Sequence, residues 1–266
     1  MAIHTEVRGN TFLITIDRPE RRNSLDMEHF GRLANAWIRY RDDDDLRCAI
    51  ITGVEDTFCV GADLKSFVTQ VTANIDALAS GEEVEDFPAD AALTGVLREF
   101  ELYKPVIAGI NGLCAAGGLE MLHSIDIRVC SDKARFSVAE AKRGLFPGGG
   151  TTVQLPRHIP YCRAMEMLLT ADFIDAEKAY EYGLVNKVVP HDQLLDAAFE
   201  YADRIQKNGP VAIRKIKESV LKGLRMPLQE AFNQELNYAA EVFMTEDAQE
   251  GPLAFKEKRE PVWKNK

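Results

Sequence analysis

Apolar runs divide the first two-thirds of the chain into strand-like and helix-like stretches. Thr11–Ile16 is a β-branched run halted by Asp17-Arg18-Pro19. Asp26 stands where an N-cap would, ahead of a helical pattern that reaches about Tyr40. The acidic run Asp42–Asp45 reads as a solvated loop. Arg47–Thr52 and Pro105–Ile110 predict buried strands, the first stopped by Gly53 and the second by the turn pair Asn111-Gly112. Ser124–Cys130 and Val185–Val189 predict two more. Helical patterns lie between them, so the class is α/β. From about Pro190 the pattern is almost wholly helical. Asn208 is placed to cap a helix with Pro210 near its first turn, and Met226-Pro227 restarts another. The expected organisation is a mixed α/β core over 1–204 followed by a helical region over 205–266. The stretch 66–90 fits neither periodicity. It holds Glu82, Glu83, Glu85, Asp86 and Asp90 with the breakers Gly81 and Pro88, and reads as a mobile flap or a partly helical pocket wall.

Composition narrows the function classes. The 266 residues are 46% hydrophobic and 28% charged, which suits a globular chain with its own core. Lys and Arg number 32 against 42 Asp and Glu, a net charge of −10 that argues against whole-surface attraction to nucleic acid or anionic membrane. There is no apolar run long enough to span a bilayer, and the start Met-Ala-Ile-His-Thr-Glu lacks the basic and apolar regions of a signal peptide. Cys48, Cys59, Cys114, Cys130 and Cys162 are odd in number, widely spaced and without a C-x-x-C. They read as reduced thiols, and so predict a cytoplasmic location.

Common catalytic signatures are missing. The chain has no G-x-G-x-x-G, no G-x-S-x-G and no H-E-x-x-H. Gly112 and Gly117 have P-loop spacing, but Gly118-Leu119 stands where Lys-Ser/Thr is required. The five histidines are scattered and read as structural or surface groups; no metal site is expected. The informative region is 104–152. A buried strand ends at Asn111-Gly112, and Ala115-Ala116-Gly117-Gly118 then leads into an apolar helix carrying Glu120. Small residues let a ligand approach the backbone, and free N–H groups at a helix start favour negative charge. Glu120 has two readings, a carboxylate suited to the helix dipole or a site acid. Glu140 follows the strand-like Ala134–Val138 and precedes Gly148-Gly149-Gly150, as a loop charge or a second site acid. An earlier segment, Thr57-Phe58-Cys59-Val60-Gly61-Ala62-Asp63-Leu64-Lys65, likewise passes through small residues into a helix start.

Together these segments resemble the crotonase superfamily, specifically its enoyl-CoA hydratase/isomerase branch. The shared features are Gly-Ala-Asp-Leu at 61–64, Asn-Gly…Gly-Gly-x-Glu at 111–120, and Glu140 ahead of Gly-x-x-Pro-Gly-Gly. The opening Ile-Asp-Arg-Pro-Glu-Arg-Arg-Asn-Ser-Leu-Asp (16–26) and the ending Gly-Pro-Leu-Ala-Phe-Lys-Glu-Lys-Arg (251–259) match as well, so the resemblance covers nearly the whole chain. It implies a spiral of ββα repeats followed by helices that form the oligomer surface of a homotrimer or homohexamer. It implies an acyl-CoA thioester substrate, with no cofactor beyond its coenzyme A moiety. By motif match the N–H groups of Ala62 and Gly117 would hold the thioester oxygen, Glu120 would activate water and Glu140 would exchange the proton at C2. Arg21, with the segment to Leu25, Val60 and Lys65 would line the CoA groove. Phe255 and Lys258 would reach the CoA of a neighbouring subunit.

Hydration of 2-enoyl-CoA is the function so implied, because both glutamates are present. Isomerisation by Glu140 is the alternative, and the C-terminal sequence also resembles the carnitinyl-CoA dehydratases. A non-catalytic, RNA-binding family member is a reading of another class, motivated by Arg214, Lys215, Lys217, Lys222 and Arg225. The chain departs from the pattern at Ala116, where many hydratases have Gly, and at Lys142 and Arg143. A cation near Glu140 would lower its pKa, whereas cations pointing to solvent would have little effect. The 66–90 stretch is expected to shape the acyl pocket, with Phe67 and Phe87 either lining it or anchoring the segment to the body.

Overall fold

A computed structural model describes residues 2–67, 69, 80 and 89–266. Phe87 and the acidic residues 82–86 lie outside the described residues. The chain opens with the antiparallel pair β1 (Ile3–Arg8) and β2 (Thr11–Ile16), then α1 (Met27–Asp42). The Asp26 carboxylate caps α1 by accepting from the His29 N–H, as its position in the sequence predicts. Three strand pairs follow: β3 (Cys48–Gly53) with β4 (Thr57–Cys59), β5 (Val106–Ile110) with β6 (Leu113–Ala115), and β7 (Ile127–Ser131) with β8 (Arg135–Ser137). The short helices α2 (Ala89–Gly95) and α3 (Gly117–Leu122) lie between these pairs.

The repeat has a simple spatial meaning. The first strand of each pair joins a six-stranded sheet of order β1-β2-β3-β5-β7-β10, in which β10 is Lys187–Val189. The second joins a four-stranded sheet of order β4-β6-β8-β9, with β9 at Ile174–Asp175. From β2 to β10 the large sheet is parallel. Each turn of the chain therefore advances both sheets by one strand, the spiral of ββα repeats expected from the resemblance.

Side chains alternate across the large sheet with period two. Phe12, Ile14, Ala49, Ile51, Val106, Ala108 and Ile110 face the main core, with Trp37 and Tyr40 of α1 and Phe58 and Phe136 of the small sheet. Leu13, Cys48, Ile50 and Ile107 face the other way, onto Ala198 and Ala202 of α7 (Leu194–Gln206). Covering both faces explains why these strands read as continuous apolar runs. α4 (Thr151–His158), α5 (Tyr161–Thr170) and α6 (Ala176–Glu181) precede α7. α8 (Pro210–Gly223), α9 (Leu228–Phe243) and α10 (Glu246–Glu257) complete the chain. The division placed at 204/205 falls in the last turn of α7.

Several boundaries differ from expectation for local reasons. Ser124 and Ile125 donate back to the carbonyls of Met121 and Leu122, so they continue the helical turn and the strand begins only at Ile127. Val185 donates to Ala179, which shortens the next strand to Lys187–Val189. Asn208 does not cap α8: its side chain donates to the Arg204 carbonyl and closes the preceding helix, and Gly209 takes the cap position without a side-chain bond. Asp42 is helical rather than loop.

The turn at Asn111 does more than reverse the chain. Its Oδ1 accepts from Gly53 N–H at 3.1 Å, and its amide hydrogens face the carbonyls of Val54, Glu55 and Thr57 at 3.0–3.1 Å. Asn23 adds a 2.6 Å bond to the same Thr57 carbonyl. One repeat is thereby tied to the next where β3 crosses to β4. Removing the Asn111 amide strands several buried backbone groups, so Asn111→Ala is expected to lower the unfolding free energy by about 2–4 kcal/mol, readable by urea denaturation at unchanged m-value.

Candidate active site

Two strand–helix junctions meet at the end of the small sheet. β4 and β6 are parallel neighbours, with Cys59 opposite Cys114, so the segments leaving them emerge side by side. A Cβ on Gly61 would lie 2.5 Å from the Gly117 nitrogen and 2.9 Å from the Ala116 Cβ. A Cβ on Gly117 would lie 3.1 Å from the Gly61 Cα and 3.7 Å from the Ala62 nitrogen. Only backbone fits between them. Gly61 has φ +87°, and Ala116 takes φ 49°, ψ −126° as it turns into α3, a conformation that glycine adopts more freely. Among the described residues, neither the Ala62 nor the Gly117 N–H has a hydrogen-bond acceptor. The Ala62 segment is fixed from its other side. It bridges Leu25 in parallel, with Leu25 donating to Gly61 O and Asp63 donating to Leu25 O. Arg18 spans Asp26 at 3.0 Å and Asp63 at 3.4 Å, tying the opening segment to this loop.

Glu120 stands one turn into α3 with only 8% of its surface exposed, and Glu140 is exposed by 9%. Oε1 of Glu120 accepts from the Gly149 N–H at 2.6 Å. Any side chain at position 149 would collide with that carboxylate. Burial, and then the neighbouring charge of Glu140, push the Glu120 carboxyl up to about 7. The N–H groups of Gly149 and Thr151 and the guanidinium of Arg98 pull against that shift. Burial also raises Glu140, and its Oε2 has no hydrogen-bond partner among the described residues. The charge of Glu140 therefore reaches Glu120 through a low-dielectric site. Of the two arrangements that the sequence left open for Lys142 and Arg143, the structure has the one that turns them away from Glu140. The Lys142 ammonium pairs with Asp172 at 2.7 Å, and Arg143 is exposed.

The remaining predicted residues are more dispersed. Arg21 ends the short helix Pro19–Arg21 and is exposed, but its segment runs through Leu25 to the bridge with Ala62. Val60 is half-buried and Lys65 exposed on the same loop. Phe67 is half-buried and packs on Phe30, ring centroids 5.8 Å apart. Phe255, 87% exposed, and Lys258, at the left-handed end of α10, lie on the outer surface of the chain. Arg98, the Gly149 N–H and the Arg18–Asp63 pair went unread in the sequence. The glycine cluster 148–150 was the only signal pointing toward one of them.

The geometry agrees with family membership read from the whole chain. The model of the enoyl-CoA hydratase/isomerase family matches residues 6–266. The chain belongs to that family, within the crotonase superfamily. It is 41% identical over 261 residues to the enoyl-CoA hydratase EchA19 of Mycobacterium tuberculosis, covering 98% of this chain and 96% of that protein. It is 38% identical over 271 residues to a carnitinyl-CoA dehydratase of Proteus mirabilis, covering 100% and 99%. The crystal structure of an enoyl-CoA hydratase from Bacillus anthracis superposes with a TM-score of 0.91 at 32% identity, over 100% of both chains. The chain is accordingly an enzyme of the hydratase-like lyase class.

Two outcomes follow from the packing and charge of the family site. Gly149→Ala forces the Glu120 carboxylate off its amide, and is expected to raise the Glu120 titration midpoint, read by ¹³C NMR of the glutamate carboxyls, while the far-ultraviolet circular dichroism is unchanged. Glu120 has a folded-state pKa above its unfolded value, so its contribution favours folding at low pH and is lost as pH rises through about 7. Glu120→Gln is therefore expected to be more stable than wild type by about 1–3 kcal/mol at pH 8, the difference closing as pH falls toward about 4.5. Thermal unfolding across that range reads it.

Proposed function

We propose that this enzyme adds water across the 2,3-double bond of a 2-enoyl-CoA thioester, or removes it from the 3-hydroxyacyl-CoA. The carrying observation is the buried Glu120–Glu140 pair beside two backbone amides that have no acceptor of their own. In this reading the thioester oxygen takes the N–H groups of Ala62 and Gly117. Charge that develops there in the enolate is met by donors fixed before reaction, a contribution of about 2.7–4 kcal/mol for one such donor. Glu120, in the fraction ionised around its pKa of about 7, takes a proton from a water molecule as the water oxygen attacks C3. Glu140, protonated, gives a proton to C2. Like-charge repulsion in a buried site keeps one acid protonated while the other ionises. The reverse reaction uses the same groups with the roles exchanged. The chemistry calls for no cofactor beyond the coenzyme A moiety and no resident metal.

The CoA would lie along the loop Val60–Lys65 and the segment Arg21–Leu25, with Lys65 as a phosphate partner. Exposed Ile216 and Val220 on α8, Leu224 just after it, and Leu228, Phe232, Leu236 and Phe243 on α9 leave apolar side chains open in the single chain. A homotrimer or homohexamer would cover them, and would let Phe255 and Lys258 reach a neighbour's CoA. Among the described residues no helix is long and apolar enough to cross a membrane. Cys48, Cys59, Cys114 and Cys130 are buried and unpaired, and burial raises their thiols. We assign the protein to the cytoplasm on that ground.

A carnitinyl-CoA-type dehydration is the second reading, favoured by the full-length similarity to such a dehydratase. Isomerisation needs one acid and gives the second no task. The basic residues that suggested RNA are largely occupied: Arg214 on Asn265, Lys215 on Glu218 and Glu241, Lys217 on Asp126, and Lys222 on Glu218.

Crotonyl-CoA, longer 2-enoyl-CoAs and carnitinyl-CoA in labelled water make the test panel. Oxygen incorporation at C3 of an enoyl substrate is expected, with Glu120→Gln and Glu140→Gln each lowering kcat by about 10²–10⁴-fold. Full activity in either variant would overturn its assigned role.

A further inference from the structure

The glycine turn that receives Glu120 is itself held from outside. We propose that Arg98 is a positioning residue of the active site: its guanidinium anchors the Gly148 carbonyl and so presents the Gly149 N–H to Glu120. The inference rests on the proposed role of Glu120 as the water-activating acid.

Three observations converge on it. Nη1 of Arg98 donates to the Gly148 carbonyl, fifty residues away in sequence. The next amide in the chain, Gly149 N–H, is the donor to Glu120 Oε1 at 2.6 Å. A peptide plane is rigid, so holding the carbonyl of one residue sets the direction of the N–H that follows it. The third observation is how Arg98 is delivered. Helix α2 ends with Arg98 N–H on Leu93 O at 2.8 Å and Leu97 N–H on Thr94 O at 2.9 Å, the paired bonds of a Schellman close. That close usually places glycine in the left-handed position. Here buried Leu97 occupies it at φ 61°, and Glu99 follows at φ 58°. Ser124 Oγ donates to Leu97 O at 3.1 Å, pinning the turn to the end of α3, the helix that carries Glu120. Non-glycine residues hold such conformations where the surroundings over-determine them. Among the described residues the one ion pair of Arg98 is a long one to exposed Glu99, 3.9 Å, so no close carboxylate there takes its charge. That charge also acts on Glu120, holding its carboxyl below where burial and Glu140 alone would set it.

A purely structural arginine and a positioning arginine are separated by the titration of Glu120. Full-length protein labelled with ¹³C at the glutamate side-chain carboxyl is titrated by NMR for wild type, Arg98→Gln and Arg98→Lys. Glu120→Gln identifies the resonance by its loss. In Arg98→Gln the Glu120 midpoint is expected to rise by about half a pH unit or more, and the acidic limb of kcat/KM to move upward with it. In Arg98→Lys, which keeps a cation and one donor for Gly148, the midpoint is expected within about 0.2 units of wild type. An Arg98→Gln midpoint equal to wild type, or equal displacement in both variants, overturns the proposal. The NMR midpoint decides this whether or not the enzyme turns over an enoyl substrate. Retention of activity by Glu120→Gln would instead overturn the water-activating role alone.

Discussion

Two lengths of backbone, Gly61–Ala62 and Ala116–Gly117, touch without a side chain between them, and the site is built outward from that contact. It exists because β4 and β6 run parallel in the small sheet, so both chains leave at the same end. It persists because each flank is tied down: the Leu25 bridge and the Arg18–Asp63 pair on one side, the turn into α3 on the other. Parallel pairing of a strand end with the strand end of the next repeat is what a spiral of ββα units generates automatically. The fold thus brings the backbones carrying the Ala62 and Gly117 amides together without any side chain between them, the arrangement that the proposed reaction would use.

Those acids are placed by different means. Glu120 is set by a helix start and a glycine turn that admits its carboxylate. Glu140 is set by the end of the third ββ pair, where the chain turns into a short 3₁₀ segment. The charge of Glu140 adds to burial in raising the Glu120 carboxyl, so the second acid alters how the first titrates near neutrality. Lys142, turned away to Asp172, leaves that titration undisturbed.

Much of this was legible in the sequence because it is local. Continuous apolar runs identified β2, β3 and β5, since both faces of the large sheet are covered. Asp26 was readable as a cap because the bond it makes spans three residues. The small-residue junctions at 61–62 and 116–117 and the two glutamates were readable through the family resemblance, and the structure brings them together. What stayed hidden depends on long-range pairing. Arg98 lies in an unremarkable stretch, and its partner is fifty residues on. Asn208 looked like a cap because Asn is a good one, but its side chain found the nearer Arg204 carbonyl. Ser124–Ile125 look strand-like by composition, yet the preceding helical turn captures their N–H groups.

Buried polar atoms left without a partner fall around the acid pair. Among the described residues, the buried side-chain polar atoms without a partner are Glu140 Oε2, Thr151 Oγ1 and His123 Nε2. The first belongs to the acid pair, and Thr151 supplies an N–H that acts on Glu120. His123 is three residues beyond Glu120, packed on His158 beside buried Arg128, with both imidazoles kept neutral by burial. Left-handed Ala116 and Leu97 border the same region. A sequence selected for stability alone would put glycine at the left-handed positions and an apolar residue in place of a buried acid. The core of the large sheet, by contrast, carries apolar side chains in regular alternation. Left-handed residues also occur at turns and helix ends elsewhere, among them Glu55, Ala171 and Lys258, so it is the unpartnered buried acid rather than the backbone that sets this region apart: a group already satisfied by the protein has nothing left to offer a substrate.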